Sequence, residues 1–176
     1  PFAGHPVLGA SAVLHEEVRR EDDQAEWLFR LAAREVRVTT WLMPHGYRAS
    51  MDQGAVQFSP PLSGAEEAPF LEAMGLTRED RHPDLPLQTV STGLPYLIIP
   101  LRQGIERARI RHPAFEELLA TVGAKFAYVL DPAAPEGRSW DNAGLMEDVA
   151  TGSAAGPAGA YLVQHAMRPE EHTIAI

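Results

Sequence analysis

The chain has 176 residues, a formal net charge of −9 and no cysteine. Its length suits one domain or two small lobes, and its 45% apolar and 22% charged residues are those of a folded chain rather than a disordered one. The acidic balance argues against a nucleic-acid partner, no apolar run approaches the ~18 residues of a membrane span, and the lack of thiols excludes disulfides, thiolate nucleophiles and cysteine–zinc sites within this chain. This composition permits a soluble, cytoplasmic-type protein with a small-molecule partner.

The chain opens at Pro1 in a loop-like Pro-Phe-Ala-Gly-His-Pro, with no basic and apolar leader pattern. Residues 7–18 carry small and apolar residues at helical spacing and end in charge, which predicts a helix whose small side chains allow full burial. Arg19 to Gln24 reads as a solvated turn. From Ala25 to Met43, β-branched and aromatic residues in partial alternation predict strands, and Tyr47 to Phe58 predicts two more around Asp52-Gln53-Gly54. Pro60-Pro61 ends that segment.

Ser63 to Leu76 predicts an amphipathic helix, with Ser63 and Glu66 spaced as a capping box and Gly75 as the stop. Leu85 to Val90 and Leu94 to Leu101 are strand-length apolar runs joined by Ser91-Thr92-Gly93. His112 to Val122 predicts a short helix closed by Gly123, and Phe126 to Leu130 a buried strand. Ala133 to Asn142 reads as a loop, and residues 153–167 as a second small-residue helix. The final Thr173 to Ile176 reads as the start of a strand. Strands and helices in this mixed order give an α+β protein rather than a βαβ repeat.

Two segments resemble one another. Pro1 to Ala12 and Glu147 to Ala160 each place a glycine and a polar side chain ahead of a helix built almost wholly from Ala, Gly, Ser and Val. The first turn of a helix carries unpaired N–H groups and about half a positive charge, so it can hold a carboxylate or a developing anion. Spacing alone is equally consistent with two core helices carrying ordinary caps.

These residues resemble the phenazine-biosynthesis PhzF-like family, which has the diaminopimelate epimerase-like fold. The likeness rests on Pro1-Phe2-Ala3-Gly4-His5-Pro6 with Gly9, on Glu147-Asp148-Val149-Ala150-Thr151-Gly152-Ser153-Ala154, on Ser91-Thr92-Gly93-Leu94-Pro95, and on Arg138-Ser139-Trp140 ahead of Gly144. It implies two lobes, each a curved mixed sheet around a central helix, with a cleft between them. In those terms residues 1–20 are the end of the first-lobe motif and its central helix, 21–85 the rest of that lobe, and 86–176 the second lobe with central helix 153–167. A family member would continue past both ends of this sequence.

The resemblance also implies a chemistry. Ala3 and Ala150 stand where the related epimerases carry their paired cysteines, so a two-thiol racemisation does not fit. The family's isomerases use a glutamate base, expected upstream of Pro1, with a histidine and an aspartate nearby. Carried over by motif, His5 and Asp148 are the catalytic residues; Gly4, Gly152, Ser153, Thr92 and Gly93 bind the substrate. Val149 stands where proline is usual. The implied reaction is a cofactor-independent and metal-independent proton-transfer isomerisation of a small carboxylic or cyclic acid, by a cytoplasmic homodimer. The alternative is a member that binds a metabolite without turning it over. A dinucleotide site at Thr151 to Gly159 fits poorly, because the glycine spacing is off and the lead-in makes a poor strand. A serine hydrolase lacks the Gly-x-Ser-x-Gly elbow.

Overall fold

The computed structural model describes residues 4–32, 35–134 and 136–167. The element order is α1 (Gly4–Val18), β1 (Gln24–Arg30), β2 (Glu35–Met43), β3 (Gly46–Met51), β4 (Gln57–Phe58), α2 (Gly64–Ala73), β5 (Gln88–Ser91), β6 (Pro95–Pro100), α3 (Phe115–Ala120), β7 (Phe126–Asp131), β8 (Glu136–Trp140), β9 (Glu147–Asp148) and α4 (Gly152–Gln164). The expected α+β class is what these elements make. The sequence motif at Pro1 to Ala3 and the expected strand at Thr173 to Ile176 lie outside the described residues.

The chain divides into two compact units, Pro1–Gly54 and Ala55–Ile176. The boundary therefore falls well before the expected 85/86. The reason is β4: Gln57 and Phe58 pair antiparallel with Ser91 and Val90, which joins this short strand to the second sheet.

In the first unit β1, β2 and β3 form an antiparallel sheet in chain order. Helix α1 presents Val7, Ser11 and His15, spaced four apart, as its buried stripe. Val7 packs with Val36 and Val38 of β2. Val13 and Val18, on other faces of the helix, are exposed among the described residues. His15 is fully buried and serves the fold. Its Nδ1 lies 2.7 Å from Thr40 Oγ1 and its Nε2 lies 2.9 Å from the Asp22 carbonyl, which can only accept. The same Thr40 hydroxyl accepts the Trp27 indole N–H at 2.8 Å.

The second unit is built on a six-stranded sheet in the order β4-β5-β6-β7-β8-β9, with β6 and β7 parallel and the other pairs antiparallel. Strict alternation along the two central strands separates two cores. Leu97, Ile99, Ala127 and Val129 face α2 and α3, where Phe70, Leu71, Met74, Phe115 and Leu119 complete one cluster. Tyr96, Ile98, Tyr128 and Leu130 face α4, packing on Ala154, Ala158, Tyr161 and Leu162. Alanines at 154 and 158 let α4 lie close to the sheet. Tyr161, fully buried, donates its hydroxyl to the Pro86 carbonyl at 2.6 Å.

Local signals read from sequence hold at several points. The Ser63 N–H reaches the Glu66 carboxylate at 2.8 Å, as a capping box requires. Gly75 and Gly123 follow α2 and α3 at φ of 67° and 68°, the left-handed conformation that ends helices on glycine. The expected loop at 133–142 is different: Glu136–Trp140 is strand β8, clamped between β7 and β9. Pairing on both sides outweighs the poor strand propensity of Glu-Gly-Arg-Ser. Among the described residues no helix is long and apolar enough to cross a membrane.

Candidate functional site

The segment leading into α4 is placed by strand pairing. In β9, Glu147 stands opposite Trp140 and Asp148 opposite Ser139. Glu147 is locked by Arg138, whose Nε and Nη2 each donate to a different carboxylate oxygen at 2.6 Å. Arg138 Nη1 donates further to the Ile105 carbonyl at 2.7 Å, and the guanidinium lies 4.9 Å from the centre of the Trp140 ring. The arginine holds the Glu147 carboxyl below the usual glutamate range, and the carboxylate in turn raises Arg138. Glu147 is thus a fixed anion that anchors the strand, and its neighbour Asp148 is left exposed.

Asp148 then shapes the turn into the helix. Its Oδ1 accepts the Ala150 N–H at 3.2 Å, and its carbonyl accepts the Thr151 hydroxyl at 3.0 Å. Thr151 is the residue before the first helical turn, which contains Gly152 and Ser153. The Gly152 N–H is turned back to the Ala150 carbonyl at 2.7 Å. Pro157, buried inside α4, removes the N–H that would bond the Ser153 carbonyl.

Two open grooves flank this turn, and Asp148, Val149 and Thr151 line both. One, of about 610 Å3, runs past Tyr128, Glu136, Gly137 and Gly152. The other, of about 450 Å3, is walled by Leu94, Phe126, Trp140 and Met146 and has Tyr96 and Ser153 at its base. Both volumes are in the range of small-molecule sites. The second groove combines apolar walls with a few converging polar groups. Burial raises the pKa of Tyr96, the Ser153 hydrogen bond partly offsets that, and the Asp148 charge adds to the rise; burial pushes the pKa of Tyr128 up to about 12. Both phenols are therefore neutral at neutral pH.

Of the sequence-derived site residues, Asp148, Gly152 and Ser153 come together at this turn. Thr92 and Gly93 form the connection between β5 and β6, where the Gly93 N–H donates to Ser91 Oγ at 3.0 Å. Leu94, next along, is the residue of that connection that reaches the groove. Gly4 and His5 open α1 in the first unit, with His5 exposed in the first turn. A Cβ at Gly4 would come within 3.2 Å of the Met51 methyl, so glycine lets the helix start close to β3. Among the described residues no cluster of His, Asp and Glu could hold a metal ion. Sequence reasoning missed Tyr96, and it gave no role to Trp140 or to the Arg138–Glu147 pair, although the motifs contain them. The alternation in Tyr-Leu-Ile-Ile put Tyr96 on the same face as Ile98, but nothing in it announced a partner for the hydroxyl.

A family model described as phenazine biosynthesis-like protein matches residues 1–176. The chain belongs to this family. An uncharacterized isomerase, YddE, of Escherichia coli O157:H7 is 34% identical over 182 residues, covering 99% of this chain and 60% of that protein. The uncharacterized isomerase YfhB of Bacillus subtilis is 30% identical over 138 residues, covering 72% of this chain and 46% of its own. Among solved structures, a predicted epimerase from Pseudomonas aeruginosa superposes with a TM-score of 0.90 at 43% identity, over 98% of this chain and 60% of that one. A PhzF-family protein of Bacillus anthracis shares the fold, with a TM-score of 0.70 at 24% identity over 98% and 60% of the two chains. The diaminopimelate epimerase-like fold implied by the sequence accords with these neighbours. The chain spans about three fifths of the length of the YddE relative and of both structures.

Proposed function

We propose that the protein of which this chain forms all or part is an isomerase that moves a proton within a small carboxylic or cyclic acid, without a cofactor. A carboxylate base removes a proton beside an unsaturated system, and the charge spreads into the substrate. In this reading the positive end of a small-residue helix, such as the first turn of α4, faces that charge, a contribution of several kcal/mol where water is excluded. His5 returns or relays the proton, and Asp148 holds the substrate's amine or hydroxyl. Gly152 and Ser153 receive the acid group, with Thr92 and Gly93 at the margin of the same site. A cytoplasmic homodimer and a place in phenazine-type biosynthesis belong to the same proposal.

One observation carries this reading. Asp148 and Ser153 stand in the turn that opens a largely buried small-residue helix, beside a groove of ligand size, in a chain matched to this family from end to end. Among the described residues Asp148 makes no ion pair, and Arg138 is taken by Glu147.

The test is an isomerisation assay of the full gene product on 2,3-dihydro-3-hydroxyanthranilate and related cyclic acids, with solvent deuterium uptake as a second readout. The proposal expects turnover that falls by at least about 100-fold in His5→Ala and in Asp148→Ala. Turnover indifferent to both substitutions would overturn the assignment of roles. Ligand binding with no turnover and no deuterium uptake would make the protein a metabolite-binding member instead.

A further inference from the structure

The Tyr96 hydroxyl lies 2.6 Å from Ser153 Oγ, and that is the one hydrogen bond either side chain makes among the described residues. Tyr96 is 3% exposed, with its ring set against Phe126 and Tyr128. The strand and these rings fix where the phenol oxygen sits, whereas a serine hydroxyl rotates freely about one bond. Two hydroxyls joined by a single bond hold two protons and share one of them, so one O–H is always left without an acceptor. Either oxygen can donate, and the phenol, as the stronger acid of the two, is the better donor, which favours the arrangement in which the shared proton is the tyrosine's. The proton left over is then the serine's, at a residue that lines the groove with Asp148.

We infer that Tyr96 is a positioning residue: it donates to Ser153 and thereby commits the Ser153 hydroxyl to donate into the groove, toward an acceptor oxygen of the bound acid. A donor that itself receives a hydrogen bond is polarised and binds an acceptor more tightly. An unfilled groove leaves that proton with water, and a ligand lacking an acceptor at that point leaves it with nothing. This rests on the proposed site at the start of α4, and it adds a residue that belongs to none of the sequence motifs.

Titration of the full gene product with anthranilate, followed by amide chemical shifts at Gly152 to Ala154, tests it. Anthranilate is the probe because it joins a carboxylate to an adjacent amine. Ser153→Ala should weaken binding by roughly tenfold or more, as for one hydrogen bond to a charged carboxylate, and Tyr96→Phe by a smaller factor of roughly three. The double variant should bind no more weakly than Ser153→Ala alone, because the tyrosine acts only through the serine. Aniline, which has no carboxylate, should bind the wild type and Tyr96→Phe alike. Replacing Tyr96 with 3-fluorotyrosine, a more acidic phenol of nearly the same size, should tighten anthranilate binding, and it keeps the test open should Tyr96→Phe fold poorly. If Ser153→Ala weakens binding and neither change at Tyr96 alters it, the inference falls and the site stands. If anthranilate leaves the Gly152 to Ala154 amides unmoved in the wild type, the site itself is misplaced and both fall.

Discussion

Arg138 and Glu147 meet in a two-pronged ion pair across neighbouring strands, with both N–O distances at 2.6 Å. The pair fixes β9, a strand of two residues, and so fixes where Asp148 and the start of α4 stand. Removing the arginine in Arg138→Leu leaves a partly buried carboxylate with no partner. Water reaches about a third of the Glu147 side chain (32%), so the cost at neutral pH is moderate, about 1 kcal/mol. Because the folded state holds the Glu147 carboxyl below its unfolded value, the pair stabilises fully above the ordinary glutamate range and loses this effect as pH falls through it. Thermal melts of wild type and variant should therefore converge as pH falls below the ordinary glutamate range and through the lower folded value.

Asp80 is the more deeply held carboxylate. It is 2% exposed, accepts Arg107 Nη2 at 2.7 Å, the Thr77 N–H at 2.9 Å and the Thr77 hydroxyl at 3.0 Å, and is approached by Gln103 Nε2 at 3.3 Å. The Arg107 guanidinium, followed by the Thr77 and Gln103 bonds, holds its carboxyl far below the usual aspartate range against the opposing effect of burial. It ties the turn after α2 to the connection after β6. Asp80→Asn should cost about 2 kcal/mol at neutral pH, because one amide cannot accept what two charged oxygens accept and Arg107 loses its partner. Since the folded value is depressed, this stability is present above the ordinary aspartate range and persists until strongly acid pH. Urea unfolding at about pH 7 and about pH 3 should show the variant's deficit at both.

Where the sequence was legible, the signal was local. Gly75 and Gly123 end their helices because the left-handed backbone needed there is open to glycine, and Ser63 and Glu66 meet because they lie one turn apart. Helix α4 was legible from its run of small residues, and Asp148 from a motif rather than from any physical pattern. What was not legible is set by partners distant in sequence. The unit boundary at Gly54 depends on Phe58 pairing with Val90, and two residues of strand carry no periodicity. Strand β8 was hidden by its glycine and its charges, and exists because two other strands flank it. Tyr96 looked like one more core aromatic, since its distinguishing contact is with Ser153, far along the chain.

Gly137 illustrates how a turn-forming residue can belong to a strand. A Cβ at this position would overlap the ring and hydroxyl of Tyr128, the strand neighbour whose phenol crosses the β8 backbone. Glycine is therefore required by a close approach and not by backbone conformation. Gly137→Ala should destabilise by about 1–3 kcal/mol through displacement of the Tyr128 ring. Adding Tyr128→Leu should recover part of that loss, so a double-mutant cycle in urea should show coupling between the two positions. Equal and additive costs would mean that the ring is not what the alanine meets.

Asp148 offers a way to separate a chemical role from a structural one. Its carboxylate accepts one weak bond, from the Ala150 N–H, and is otherwise exposed. The oxygen of an asparagine accepts the same bond in the same turn. Asp148→Asn should therefore leave the melting curve of the chain within about 0.5 kcal/mol of wild type, as for an ordinary surface change. On the proposed mechanism it should also abolish the charge that holds the substrate's amine or hydroxyl, lowering turnover of the full gene product by roughly 100-fold or more. A loss of stability as large as that for Asp80→Asn would make Asp148 a structural residue. A variant that is both stable and fully active would remove Asp148 from the chemistry and leave Ser153 as the polar group of the groove to which binding is owed.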